Sequence, residues 1–306
     1  MTNKVVFHSL SVFTGFLFIF SAYTKLYPIE YFEMGFVDQG LSSWTTAPFI
    51  SRFIIGIEFF AGLILISGIA TGKWFYRSLY LLLGIFSIYL AAQIATKGNT
   101  GNCGCFGDAF PMTPLEGILK NILLIAAVFG LQKLKSGLTF RFRKASISLA
   151  LLITLALPFI LNPIYSGAAN FDREAKDYEL PLDILYNSST NTPPNKDLKN
   201  GKWLIAYISL TCPHCKIAAY KLHILQKNNP DLPIYMVLNG KDKNIEPFFE
   251  KTKANNISYS MFSGGSEFLK MSGPALPAIF MVENGVVYKK TDYLDLSEKE
   301  LVEWVQ

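Results

Sequence analysis

Histidine and cysteine are scarce, at three and four residues in a chain of 306. That shortage weighs against a zinc centre, which takes about four Cys, His or carboxylate ligands. The cysteines fall in two close pairs, Cys103/Cys105 and Cys212/Cys215, and only His223 lies near His214. Such pairs read as two dithiol/disulfide switches and not as a disulfide framework, and no metal is expected. Charge is thin as well: 17% of residues are charged against 51% hydrophobic, and the apolar ones crowd into the first half. This is a membrane composition followed by a soluble one. The net charge of +5 makes no case for nucleic acid, because the basic residues cluster in one short loop and report topology instead.

Five apolar segments stand at about Val5–Leu26, Pro48–Ala70, Trp74–Thr96, Leu115–Gln132 and Ala145–Tyr165. Each approaches the ~20 residues that cross a bilayer as a helix. The first resembles a signal peptide, but it is long and further spans follow, so we take it as transmembrane. The fourth is the least hydrophobic, with Glu116, Lys120 and Asn121 in its first two turns.

Loop charge sets the orientation. Lys133, Lys135, Arg141, Arg143 and Lys144 lie between spans four and five, and Lys73 and Arg77 lie between or just inside spans two and three. The positive-inside rule places both loops and the N-terminus in the cytoplasm. The loops at 27–47 and 98–114, and everything after span five, then lie outside. All four cysteines share that outer compartment, where disulfides persist.

The expected domains are a membrane domain at 1–168, a linker at 169–198 rich in Asn, Ser, Thr and Pro, and a soluble α/β domain at 199–306. In the soluble domain a strand over 202–210 precedes Cys212-Pro213-His214-Cys215, and a helix over 216–226 follows. Strands at Leu232–Leu238, Tyr259–Phe262, Ala278–Val282 and Val286–Lys289 come next, with helices at Ile245–Ala254 and Ser266–Met271 between them. Asn284-Gly285 signals a hairpin. A closing helix at Ser297–Val305 carries a capping box of Ser297 and Glu300.

A strand–CxxC–helix context is specific for redox chemistry, because the helix N-terminus stabilises the Cys212 thiolate. A purely structural disulfide is the alternative. In Cys103-Gly104-Cys105 the ring closed by a disulfide is tight, and Gly104 permits backbone angles that a side chain forbids. A strained disulfide there would take electrons from an ordinary CxxC pair. Idle thiols or a loop metal site are the bland readings. Lys25, Arg52, Gln93, Lys97 and Lys120 all fall near the outer ends of their spans, and Glu58 lies about 15 Å along its helix at 1.5 Å per residue. Charges inside a span are costly and usually functional. A cationic cluster there could stabilise a thiolate or a reduced quinone; snorkelling to headgroups, or a structural Glu58–lysine pair, would serve as well.

Residues from about Asp177 to Gln306 resemble a thioredoxin-fold domain, on Trp203–Leu210, the CxxC motif and Gly273-Pro274-Ala275-Leu276-Pro277 before the hairpin. The resemblance implies Cys212 as the attacking thiol, Cys215 as the resolving one, and a cis Pro277 lying against them. The Pro213-His214 dipeptide is similar to that of the disulfide oxidase DsbA, which implies that His214 favours the Cys212 thiolate. The helical insertion of DsbA is missing, so a reducing, TlpA-like domain fits equally. The first four spans resemble the DoxX/MauE membrane family, on Phe20–Leu26, Arg52–Gly56, Glu58, Gly62 and above all Asn102-Cys103-Gly104-Cys105-Phe106-Gly107. That family lacks the fifth span. The fusion resembles the pairing of vitamin K epoxide reductase homologues with a thioredoxin partner, on a different scaffold.

The expectation is an α-helical membrane bundle of about five spans plus an α/β thioredoxin-like domain, in a bacterial inner membrane with the soluble domain periplasmic. Its expected activity is thiol–disulfide exchange with periplasmic client proteins, with electrons passing from Cys212/Cys215 through Cys103/Cys105 to a quinone held near Lys25, Arg52 and Glu58. A reductase fed by another membrane partner, or a non-enzymatic assembly factor, are the alternatives.

Overall fold

The structure, a computed structural model, describes residues 2–69, 71–108, 110–134, 137–164, 178–187 and 193–306, with the backbone alone for Thr2, Asn3, Lys97 and Asp108. The chain divides into two compact units, Met1–Ile164 and Tyr165–Gln306.

The first unit contains α1 (Thr2–Leu26), α2 (Ile29–Asp38), α3 (Ala47–Ser67), α4 (Lys73–Lys97), β1 (Cys105–Asp108), α5 (Pro114–Leu134) and α6 (Arg143–Leu161). Five of these helices are long and apolar enough to cross a membrane: α1, α3, α4, α5 and α6. Helix α3 packs between α1 and α6, and α5 between α1 and α4. Phe7, Phe18, Leu65, Leu83, Val128 and Leu131 fill the interior, while Phe13, Ile88, Leu123, Leu152 and Ile160 point outward. Apolar faces on both sides suit helices whose solvent is lipid. The chain is a multi-span membrane protein.

Two spans end earlier than expected, each at an identifiable stop. Gly68 takes a left-handed φ of 63° and its N–H returns to the Leu65 carbonyl, so α3 closes at Ser67 and not at residue 70. Helix α6 closes at Leu161 because Asn162 precedes Pro163 and is turned out of the helical region; the expected end at Tyr165 lies outside the described residues. The outer loop expected at 27–47 is not all loop. Pro28 opens α2, which buries Ile29, Met34 and Val37 and packs on α3.

The second unit has α7 (Asp183–Asn187), β2 (Lys202–Ser209), α8 (Pro213–Asn228), β3 (Ile234–Asn239), α9 (Ile245–Thr252), β4 (Ser258–Met261), α10 (Gly265–Ser272), β5 (Ala278–Glu283), β6 (Val286–Thr291) and α11 (Glu298–Val305). The sheet order is β4-β3-β2-β5-β6. Strand β2 pairs parallel with β3, and β3 parallel with β4, while β5 runs antiparallel to both β2 and β6. This is the thioredoxin topology. Leu204 to Ile208 are fully buried, as a central strand covered on both faces requires. Asn284 and Gly285 have φ of 50° and 83°, the conformation a two-residue hairpin demands.

The linker at 169–198 needs correction. Residues 165–177 and 188–192 lie outside the described set, but Leu180, Leu182, Leu185 and Leu198 are part of the domain core. The Leu180 N–H bonds the Gly285 carbonyl and the Val287 N–H bonds the Tyr178 carbonyl. The apolar residues were hidden among polar neighbours, so composition read the segment as loop. The capping box at Ser297 is also absent: that side chain makes no capping bond, and Glu300 pairs with Lys289 on β6 instead. A capping box does form at Thr113, which exchanges bonds with Glu116 at the start of α5.

Candidate functional site: two dithiol centres

Cys212 is the N-cap of α8, with Pro213 in the first turn; its sulfur accepts the Cys215 N–H at 3.4 Å. The helix start thus presents a backbone donor to this sulfur. Cys212 is half-buried and Cys215 buried. The Cys215 sulfur accepts the Ser209 N–H, but burial pushes its thiol pKa up. One sulfur is thus presented and the other withheld, the arrangement expected of an attacking and a resolving cysteine. The Leu276–Pro277 peptide is cis, and the Leu276 carbonyl lies 4.0 Å from the Cys212 sulfur. Pro277 thus follows the residue whose carbonyl faces the Cys212 sulfur. His214 behaves differently: its Nδ1 lies 3.1 Å from the Tyr293 hydroxyl, and the Cys212 sulfur bonds Cys215 and Leu276 instead.

The second centre is built on Asn102. Its Oδ1 accepts the N–H groups of Gly104 and Met112, and its Nδ2 donates to the Gly107 carbonyl. The Cys103 N–H bonds the Met112 carbonyl at 2.7 Å. Gly104 and Gly107 both have positive φ, 69° and 58°. A Cβ on Gly107 would strike the Thr24 carbonyl, so only glycine lets the loop approach α1 this closely. Cys103 is half-buried and Cys105 buried. Both sulfurs rest on Gly117 of α5, where a Cβ would lie 2.8 Å from the Cys105 sulfur and 3.0 Å from that of Cys103.

Beneath this loop lies a buried polar chain. Ser21 Oγ donates to the Cys105 carbonyl at 2.9 Å. Lys25 Nζ donates to Ser21 Oγ at 2.8 Å and to Glu58 Oε1 at 2.5 Å. Phe32 and Phe86 each offer a ring face 5.6 Å from Lys25 Nζ. Lys120 sits 4.7 Å over the Phe106 ring. The Cys105 thiol is held down to about 6, first by the hydrogen bond from Cys103 and then by the Lys120 and Lys25 charges, against the cost of burial. Cys103 is pushed up by the same hydrogen bond and by desolvation. Two thiols sharing one proton titrate as a pair, so the first ionisation falls and the second rises.

Arg52 stands apart from this cluster. Its guanidinium holds Glu33 at 2.5 Å and donates to the carbonyls of Pro48, Asn162 and Pro163. With four of its five N–H donors engaged there, Arg52 fastens α2 and the end of α6 to α3, and the expectation of a shared role with Lys25 does not match this geometry. Its six-residue separation from Glu58 already put the two on different helix faces. Sequence reasoning missed Gly117 and Tyr293, for which no local signal exists, and passed over Ser21 and Asn102 although both lie in quoted motifs. His8 packs edge-on against Phe7; His223 bonds Asn256. Among the described residues no group of three or more His, Cys, Asp or Glu could hold a metal ion.

Residues 3–133 match the family of Methylamine utilisation protein MauE, a stretch that ends before the fifth span. Protein TlpB of Flavobacterium psychrophilum is 27% identical over 334 aligned residues, covering 92% of this chain and 90% of that protein. Among solved structures, a secreted Mycobacterium tuberculosis disulfide oxidoreductase homologous to E. coli DsbE is 20% identical, covers 34% of this chain and 80% of that one, and has a TM-score of 0.28. The thioredoxin domain of a Bacteroides vulgatus thiol-disulfide oxidoreductase is 17% identical, covers 35% and 81%, and has a TM-score of 0.31. The chain is therefore similar to MauE over its first four spans and to TlpB over nearly its whole length.

Proposed function

We propose that this is a thiol–disulfide oxidoreductase of a bacterial inner membrane that forms disulfides in periplasmic proteins. The observation that carries the reading is the duplication of one arrangement: each pair has a half-buried sulfur beside a buried one, and loop charge assigns both to the outer side. A client thiolate attacks the Cys212–Cys215 disulfide, and a second client thiol completes its own disulfide, leaving two reduced cysteines and two electrons gained. Exchange with the Cys103–Cys105 disulfide restores the first pair and reduces the second.

The electrons then leave the loop pair. A quinone is the acceptor class that takes two electrons and two protons from within a membrane. The residues beneath the loop fit such a group. Lys25 offers a buried cation with aromatic faces beside it, and Glu58 Oε2 is buried with no hydrogen-bond partner. Lys25 would donate to a quinone oxygen and Glu58 Oε2 would accept from the hydroxyl of the reduced form, while Lys25 and Lys120 favour the thiolate that starts the transfer. Membrane lipid surrounds the spans, and no nucleic acid is involved.

The opposite flow, a reductase fed by a separate membrane partner, draws support from one observation: His214 bonds the Tyr293 hydroxyl and, among the described residues, makes no hydrogen bond to the thiol it was expected to favour. The redox state of Cys212/Cys215 trapped in cells separates the two, since an oxidase keeps that pair oxidised. The relay itself is tested with Cys215→Ala, which prevents resolution and should leave Cys212 in a mixed disulfide with the Cys103–Cys105 loop. Peptide mapping without reductant reads the link. If Cys212 is joined only to other proteins while the loop pair is independently oxidised, the two centres serve separate chemistry.

A further inference from the structure

We infer that the Tyr293 hydroxyl is a latch on His214, withholding the imidazole from Cys212 and keeping the Cys212–Cys215 disulfide less oxidising than its Pro-His dipeptide would make it. The inference rests on the reading that this pair is redox-active. Tyr293 lies in the turn between β6 and α11 and is buried, with 6% of its surface exposed. Lys221 of α8 fixes that turn by donating to the Tyr293 carbonyl at 2.5 Å and to the Leu294 carbonyl at 3.4 Å. Asp292 closes it locally by accepting the Leu294 N–H.

The hydroxyl is therefore at a fixed point when it meets His214 Nδ1 at 3.1 Å, and the rings lie 6.3 Å apart at their centroids. His214 itself is exposed, and in the described structure its ring bonds nothing else. A single hydrogen bond to a buried, anchored partner decides where an exposed ring rests, because no packing holds it elsewhere. An imidazole free to turn would stand two positions along from a thiolate at a helix N-terminus. There it stabilises the reduced form and makes the disulfide easier to reduce. Tyr293 competes for the same ring. It acts through His214 and does not touch the sulfur, so it is a positioning residue.

The test uses the full-length protein in detergent with Cys103→Ser and Cys105→Ser, so that one pair titrates. Equilibration with glutathione reduces the Cys212–Cys215 bond to two thiols while two glutathione thiols form one disulfide. Tyr293→Phe keeps the buried ring and removes the hydroxyl. It should raise the equilibrium constant about tenfold, roughly 30 mV for a two-electron couple. His214→Phe alone should change it less, and the double variant should lose the Tyr293→Phe gain, as coupled positions do. An unchanged or lowered constant in Tyr293→Phe, with normal exchange, overturns the latch and leaves the proposed function standing. A gain that persists without His214 also overturns it. Failure of the parent protein to exchange with glutathione at all removes the redox reading and the latch with it.

Discussion

The Lys25 ammonium and the Glu58 carboxylate meet at 2.5 Å with 3% and 7% of their side chains exposed. An isolated charge at such a site costs several kcal/mol, and removing one partner of a buried pair typically costs about 3–5 kcal/mol. Glu58→Gln should therefore destabilise the membrane unit by that order, read as a lower midpoint in detergent unfolding. Replacing both residues, Lys25→Met with Glu58→Gln, should recover most of the loss. The double variant then separates glue from chemistry. If it folds and still reoxidises its loop pair with quinone at the original rate, the ion pair is structural only.

The loop pair should titrate unusually low. With Cys105 held down by its bond to Cys103 and by the Lys120 and Lys25 charges, the pair forms its first thiolate at lower pH than an ordinary thiol. Reactivity therefore rises earlier on the pH scale than for a thiol of pKa about 8.5. Ultraviolet thiolate absorbance of full-length protein carrying Cys212→Ser and Cys215→Ser measures this directly. Lys120→Met should move the midpoint upward; a parent midpoint at the ordinary thiol value would contradict the electrostatics described.

Gly117 gives a steric test. Alanine is the better helix former by about 1 kcal/mol, so Gly117→Ala should not weaken α5 itself. Its Cβ would nonetheless crowd both loop sulfurs. Reoxidation of the Cys103/Cys105 pair should fall at least tenfold, while exchange of the Cys212/Cys215 pair with glutathione stays as it was. Loss of both activities would mean that the substitution disturbs folding.

Topology can be checked in spheroplasts. A membrane-impermeant thiol reagent should label all four cysteines after reduction, with Cys103 and Cys212 fastest because Cys105 and Cys215 are buried. Labelling of either pair only after lysis would overturn the orientation and the relay together.

The periodic and compositional features were legible in advance. Five spans, the β2–CxxC–α8 core and the Asn284-Gly285 turn follow from local hydrophobicity and backbone preference, and each forms close to its expected bounds. What was not legible depends on residues far apart in sequence. Lys25 and Glu58 are 33 positions apart; a Glu58–lysine pair could be anticipated, but nothing local chooses Lys25 over Lys97 or Lys120 as its cation. The same holds for His214, whose partner Tyr293 lies 79 positions away. The DsbA-like dipeptide named the right residue, but tertiary packing decided what its ring bonds. Short helix α2 was lost because Glu30, Glu33 and Asp38 marked its ten residues as an outer loop, although Ile29, Met34 and Val37 form a buried face.

The residues from 178 onward that open the soluble domain also cover one edge of its sheet. Glu179 bridges antiparallel to Val286, so the chain entering the domain lies along the outer side of β6. Strand β4, at the opposite end of the sheet, is only four residues long. Unpaired sheet edges recruit other chains, and short or covered edges resist this. A fragment begun at residue 199 would uncover β6 and the pocket left by Leu180, Leu182 and Leu185, and should self-associate on expression. A fragment begun ahead of Tyr178 keeps its edge closed and should stay monomeric.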